Sequence, residues 1–214
     1  MLSVTGLVKR FESSGDTVRV FDGLSFSIAA GRSLALTGPS GSGKSTLLNI
    51  LCGLESFDEG NVRLLEREVD GLPRDAWADL RRRHIGVVFQ DSNLMPTMTL
   101  AENVRLRAGL AGRSTEGTGD WLERLGLAGL EQRYPDQVSG GQRQRAALAM
   151  VFAMEPELVL ADEPTGSLDR QTAHTVADAL FRWQREVNAT LVLATHDLPL
   201  ADRCDDGLDL AGGA

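Results

Sequence analysis

The sequence predicts an α/β fold around a buried parallel sheet, and two patterns predict it. The short apolar run 33–37 leads directly into Gly38, Pro39, Ser40, Gly41, Ser42, Gly43, Lys44 and Ser45 and then into residues with helical spacing, the strand–turn–helix order of an α/β unit. Three later apolar runs, 85–89, 158–161 and 190–194, have the length and continuity of strands buried on both faces. Each ends in polar residues: Gln90, then Asp162 with Glu163, then His196 one residue further on. In open α/β sheets, ligands bind at the carboxyl ends of the strands, so these side chains are expected to converge.

Taken in order, residues 18–28 alternate apolar and polar positions, which suits a small antiparallel sheet within the first 30 residues or so. The strand 33–37 follows, then the glycine-rich turn. Leu47, Leu48, Ile50 and Leu51 lie at helical spacing from Ser45 onward, and Gly53 suits the left-handed residue that ends a helix. Arg81, Arg82 and Arg83 read as the solvated end of a helix. Between 91 and 154 the pattern is helical, broken by a Gly-, Ser- and Thr-rich stretch at 109–119 expected to form an exposed loop. The division predicted is one domain over 1–214, with residues of about 1–90 and 155–214 forming the core and its β-subdomain and 91–154 a helical subdomain.

Composition narrows the function. A length of 214 residues suits one sizeable core. A net charge of -8 disfavours a general nucleic-acid surface, which needs basic side chains to displace counterions. The longest apolar stretches fall well short of the roughly 20 residues that span a bilayer, and the first ten residues lack the apolar core of a secretory signal. A cytosolic chain with no membrane span is the expectation. Cys52 and Cys204 are too few for a metal or disulfide framework and read as packing thiols.

The chemistry is carried by the polar turns. Glycine, four residues, glycine, lysine and serine, placed between a strand and a helix, form a phosphate cradle: bare backbone approaches the oxygens, the helix N-terminus favours negative charge, and Lys44 adds a mobile cation. Asp162 suits the organisation of Mg²⁺ with Ser45 as direct ligand, and Glu163 suits a carboxylate that orients an attacking water. Ser139, Gly140, Gly141 and Gln142 precede a long helix; locally they read as a helix cap and turn, or as a second grip for phosphate oxygens. One chain already has one cradle, so a second implies a dimer in which each chain completes the other's site. His196, at a strand end beside the phosphates, is placed to contact the γ-phosphate. His84 and His174 have no such placement. Together these features point to ATP hydrolysis.

The ordered set of phosphate loop, Gln90, Ser139 to Gln142, Asp162 with Glu163, Ser167 to Asp169, and His196 resembles the nucleotide-binding subunit of ABC (ATP-binding cassette) transporters over essentially the whole chain. The stretches around Val87 to Gln90, Leu94 to Pro96, Leu100 to Val104 and Ala161 to Asp169 are most similar to the lipoprotein-releasing and macrolide-efflux type. The resemblance implies a P-loop NTPase fold with a RecA-like core, a small antiparallel β-subdomain and a helical subdomain. It implies ATP and Mg²⁺ as cofactors, bound by Phe11 against adenine, by Gly38 to Thr46, by Gln90 on the metal, and by Asp169. It further implies a homodimer of cassettes, peripheral on the cytoplasmic face of the membrane through a separate transmembrane permease subunit that docks near Leu94 and Met95. The cargo is left open. Export or lipid extraction is one branch; mechanotransmission to a cell-wall hydrolase during division is the other. Soluble DNA-repair or translation cassettes carry a coiled-coil insertion or a tandem second cassette, neither of which is present, and the intact Glu163 disfavours a catalytically silent subunit. Three departures stand out: Val138 where leucine is usual, Met150 where relatives generally carry arginine, and a short tail after His196 that implies curtailed final strands.

Overall fold

The computed structural model describes residues 1–13 and 16–212. In chain order the strands are β1 (Leu2–Ser13), β2 (Asp16–Ile28), β3 (Ser33–Thr37), β4 (Glu59–Leu64), β5 (Arg67–Glu68), β6 (Ile85–Val88), β7 (Leu158–Asp162), β8 (Thr190–Ala194) and β9 (Asp206–Asp209). The helices are α1 (Lys44–Leu51), α2 (Arg74–Arg83), α3 (Leu100–Leu110), α4 (Thr118–Arg124), α5 (Gly140–Met154), α6 (Arg170–Val187) and α7 (Leu198–Ala201).

Two sheets result. β2-β1-β4-β5 is antiparallel, and β6-β7-β8-β3-β9 is parallel throughout. Successive side chains of a strand face opposite ways, so the parallel sheet divides the core in two. Leu158 and Leu160 of β7 pack with α1 and the antiparallel sheet, whereas Val159 and Ala161 pack with α3, α5 and α6. This two-sided burial explains why the strands read as unbroken apolar runs. On the second side Phe152 stacks on Trp183 with ring centroids 4.5 Å apart, and Trp121 meets Phe152 edge-on, tying α4, α5 and α6 together.

The apolar strands lie where the sequence places them, and three details differ. Helix α3 continues through Gly109 to Leu110 and α4 starts at Thr118, so the exposed loop is shorter than 109–119. A capping box between Thr99 and Glu102 starts α3 firmly, and buried Leu100, Val104 and Ala108 hold it to its end. The arginine run is not simply solvated. Arg81 donates to the carbonyls of Cys52 (2.9 Å) and Gly53 (3.2 Å), closing the end of α1, and Arg82 donates to the carbonyl of Leu110. The tail after His196 does contribute a strand: β9 pairs in parallel with β3, and the Asp205 carboxylate accepts from the amide and hydroxyl of Ser33, both at 2.8 Å. Cys52 is buried and Cys204 half-buried; burial pushes the Cys204 thiol up to about 12, so both act as packing groups. Among the described residues no helix is long and apolar enough to cross a membrane.

Leu193, fully buried at the centre of β8, tests the sheet as scaffold. Leu193→Ala is expected to cost roughly 2–5 kcal/mol in urea unfolding; a loss below about 1 kcal/mol would mean that the sheet core relaxes around the cavity.

Candidate nucleotide site

Parallel register sets the site. Val88 pairs with Ala161, Asp162 with Ala194 and Leu36 with Ala194, so β6, β7, β8 and β3 end level with one another. The turns that follow them therefore share one edge. Beyond the paired residues, the Glu163 amide donates to the Ala194 carbonyl at 3.0 Å and the Thr195 amide to that of Leu36 at 3.1 Å, which extends the alignment into the polar turns.

After β3 the chain wraps the glycine-rich loop into α1. Gly43 is the helix N-cap, with φ 95° and no side chain to cap the first-turn amides. A Cβ there would lie 2.6 Å from Val20 Cγ1 and 2.8 Å from Phe21 Cζ, so the close approach of β2 and the positive φ both require glycine. Gly38, with φ 136°, is similarly tight against Ser42, whose hydroxyl is buried without a partner. Lys44 Nζ donates to the loop carbonyls of Gly38 (2.8 Å) and Pro39 (3.0 Å), folding the cation back across the loop. Pro39, Ser40 and Gly41 are exposed, Ser45 lies exposed in the first turn of α1, and Thr46 is half-buried behind it. Uncapped amides, an adjacent ammonium and an orphaned hydroxyl form a site for an anion with several oxygens.

At the end of β7, Asp162 is half-buried and Glu163 takes φ 43°, an unfavourable conformation for a non-glycine residue. Three hydrogen bonds hold it there. Glu163 Oε1 accepts from the His196 amide at 3.0 Å and lies 2.7 Å from His196 Nδ1, while Thr195 Oγ1 donates to Oε2 at 3.3 Å. The sequence assigns Glu163 and His196 separate tasks; the fold joins them as one hydrogen-bonded pair. Thr195, fully buried, had no signal beyond its place next to His196. The two open into a cleft of about 500 Å³ that is also lined by Arg170, His174 and Arg203. His174 is thus brought beside the pair, although nothing in its sequence context singled it out.

Ser139 is the N-cap of α5. Its Oγ accepts from the Gln142 amide at 3.2 Å and Gln142 Oε1 accepts from the Ser139 amide at 2.8 Å, a complete capping box. The cap reading is therefore correct, yet the hydroxyl hydrogen remains to be donated, and Ser139 and Gly140 are exposed. A Cβ on Gly141 would meet Thr172 Cγ2 at 2.6 Å, so this turn packs on the start of α6. There Asp169 caps the helix, accepting from the amides of Gln171 (3.1 Å) and Thr172 (3.0 Å); hydrogen bonding by Thr172 holds its carboxyl below the usual range. Exposed Gln90 shares a cleft of about 350 Å³ with Gly140, Gln144 and Ser167. Phe11 is 37% exposed on β1 opposite Val18 of β2, itself 53% exposed, and Lys9 Nζ lies 4.5 Å from the Phe11 ring centroid. These two side chains form an apolar step on the same hairpin whose Val20 and Phe21 press on Gly43.

Residues 21–166 match the ABC transporter family. The chain belongs to that family. It is an ATPase subunit of the ABC transporter class, and a β-subdomain, parallel core and helices make up the expected cassette fold. Relatives include the uncharacterised ABC transporter ATP-binding protein YbbA of Escherichia coli strain K12, 43% identical over 100% of this chain and 95% of its own. The lipoprotein-releasing system ATP-binding protein LolD of Treponema denticola is 42% identical over 98% of this chain and 95% of its own. Among solved structures, dimeric MJ0796, described as a bacterial ABC transporter cassette, superposes with a TM-score of 0.90 at 32% identity, covering 99% of this chain and 95% of that one. A post-hydrolysis state of the same cassette with ADP and Pi gives 0.89.

The tight packing at Gly43 predicts that Gly43→Ala weakens ATP binding by at least tenfold, about 1.4 kcal/mol, in a fluorescence titration. Unchanged affinity would show that the loop is not the phosphate contact.

Proposed function

We propose that this chain hydrolyses ATP as one of two identical cassettes that close over two nucleotides and reopen after hydrolysis, moving a separate membrane permease from its cytoplasmic face. In this reading residues 91–154 are a helical subdomain carried by a core built from about 1–90 and 155–214. The observation that carries the proposal is the Glu163–His196 pair at 2.7 Å, held at the same sheet edge as a phosphate loop with uncapped helix amides.

The roles follow from chemistry. Phe11 offers a face to adenine. The backbone N–H groups of the Gly38 to Thr46 loop, all but Pro39, neutralise phosphate charge together with Lys44, whose ammonium swings away from the Gly38 and Pro39 carbonyls it donates to when a better acceptor arrives. Glu163 orients the attacking water, and His196, held by Glu163, donates to the γ-phosphate. Ser45, Gln90 and Asp162 would hold Mg²⁺: a hydroxyl, an amide carbonyl and a carboxylate are the oxygen donors that a hard cation takes, few enough to leave most of its shell to water and phosphate. A Mg²⁺ ion held by these residues would supply charge neutralisation to the phosphates.

Ser139, Gly140, Gly141 and Gln142 act across the dimer, on nucleotide held by the partner's loop, and Asp169 sits at the same junction. The permease docks on the cleft of about 350 Å³ lined by Leu54, Val87, Phe89, Arg107 and Met150. Leu54 is 55% exposed at its rim and Met95 44% exposed on the segment after Gln90, apolar surface that a partner would cover. Met150 lines this cleft, so its departure from arginine acts on docking. Similarity to LolD proteins favours lipoprotein release or a related extraction as the work done.

Glu163→Gln is expected to lower kcat by roughly 10²–10⁴ while ATP affinity changes little; turnover near wild type would remove Glu163 from its role. Ser139→Arg is expected to abolish turnover while ATP still binds the isolated chain. Hydrolysis at the wild-type rate in that variant would contradict action across a dimer.

A further inference from the structure

Gln144 lies in the second turn of α5, only 3% exposed, and its Nε2 donates to the carbonyl of Phe89 at 3.0 Å. Sheet pairing of β6 stops at Val88, so this carbonyl lies just past the ladder and takes its hydrogen bond from the helix instead. The next residue is Gln90. A second buried amide holds the far end of the same segment. Asn103, fully buried in α3, accepts from the Met95 amide at 2.7 Å and donates to the carbonyls of Met95, Met98 and Thr99 at 3.2, 3.1 and 2.9 Å. Residues 90–94 therefore run between two clamps on helices α5 and α3, and within them Asn93 has φ 47°.

We propose that Gln144 is a positioning residue for Gln90, linking the Ser139-capped end of α5 to the metal-facing amide through the Phe89 carbonyl. The proposal rests on the reading of Gln90 as a Mg²⁺ ligand. Ser139 and Gln144 share one rigid helix, so a shift of α5 when Ser139 and Gly141 engage phosphate pulls directly on Phe89. The Gln144 side chain is buried, so little water competes for its hydrogen bond to Phe89, which keeps the link intact as the helix moves. Gln90 thereby reaches the metal only when α5 is seated.

The test uses the full chain carrying Glu163→Gln, with the anisotropy of a methylanthraniloyl ATP analogue read against Mg²⁺ concentration. Gln144→Met keeps length and removes the donor; Gln144→Glu, which puts an acceptor opposite the carbonyl, serves if the first variant does not fold. The expected result is a severalfold rise in half-saturating Mg²⁺ for Gln90→Ala and for Gln144→Met, with no further rise in the double variant, because both act through one group. A melting temperature without nucleotide close to that of the parent separates this from a folding defect. If Gln90→Ala shifts the Mg²⁺ dependence and Gln144→Met does not, or if the two shifts multiply, Gln144 does not position Gln90. If Gln90→Ala itself leaves the dependence unchanged, the ligand assignment fails and the link fails with it.

Discussion

Burial of the parallel sheet on both faces is the constraint on which the rest depends. Side chains from 158 to 161 and 190 to 194 are wholly enclosed, so no polar chemistry fits along the strands, and it is confined to their ends. Level register then puts four ends on one edge. The phosphate loop, Gln90, Asp162 with Glu163, and His196 follow those ends along the one edge, although they are spread from 38 to 196 in the chain.

Two helix N-termini enter the proposed chemistry, α1 at this edge and α5 across the dimer, and they are built differently. At α1 the cap is glycine, the amides are left bare, and the cation beside them is parked on carbonyl oxygens of its own loop. At α5 the cap is complete and the helix is self-sufficient. The first therefore leaves its N–H groups to solvent or an anion, while the second has its own side-chain cap and adds a hydroxyl donor when an anion comes. That asymmetry suits a chain that binds nucleotide first and meets its second contact afterwards.

Much of this was legible because short-range patterns carry it. Four of the five strands of the parallel sheet showed as apolar runs, the exception being β9 with its sequence Asp-Gly-Leu-Asp; the loop showed as a spacing, and Gly53 as a helix stop with φ 68°. What stayed hidden depends on partners distant in sequence. β1, β4 and β5 form one antiparallel sheet through pairings such as Val4 with Val62, and half-buried strands with register shifts leave no clean alternation. Arg81 looked like surface charge because its acceptors, Cys52 and Gly53, lie in the turn that follows another helix. Nothing in the sequence around Gln144 signals its hydrogen bond to Phe89, 55 residues away. The hydrogen bond between Glu163 and His196 required knowing that β7 and β8 are neighbours.

The central claim is that two chains share each nucleotide, and the oligomeric state of Glu163→Gln by light scattering, with and without ATP and Mg²⁺, tests it most directly. The account predicts a dimer that forms only when both are present. A chain that stays monomeric with nucleotide bound, at every protein concentration tried, would contradict it.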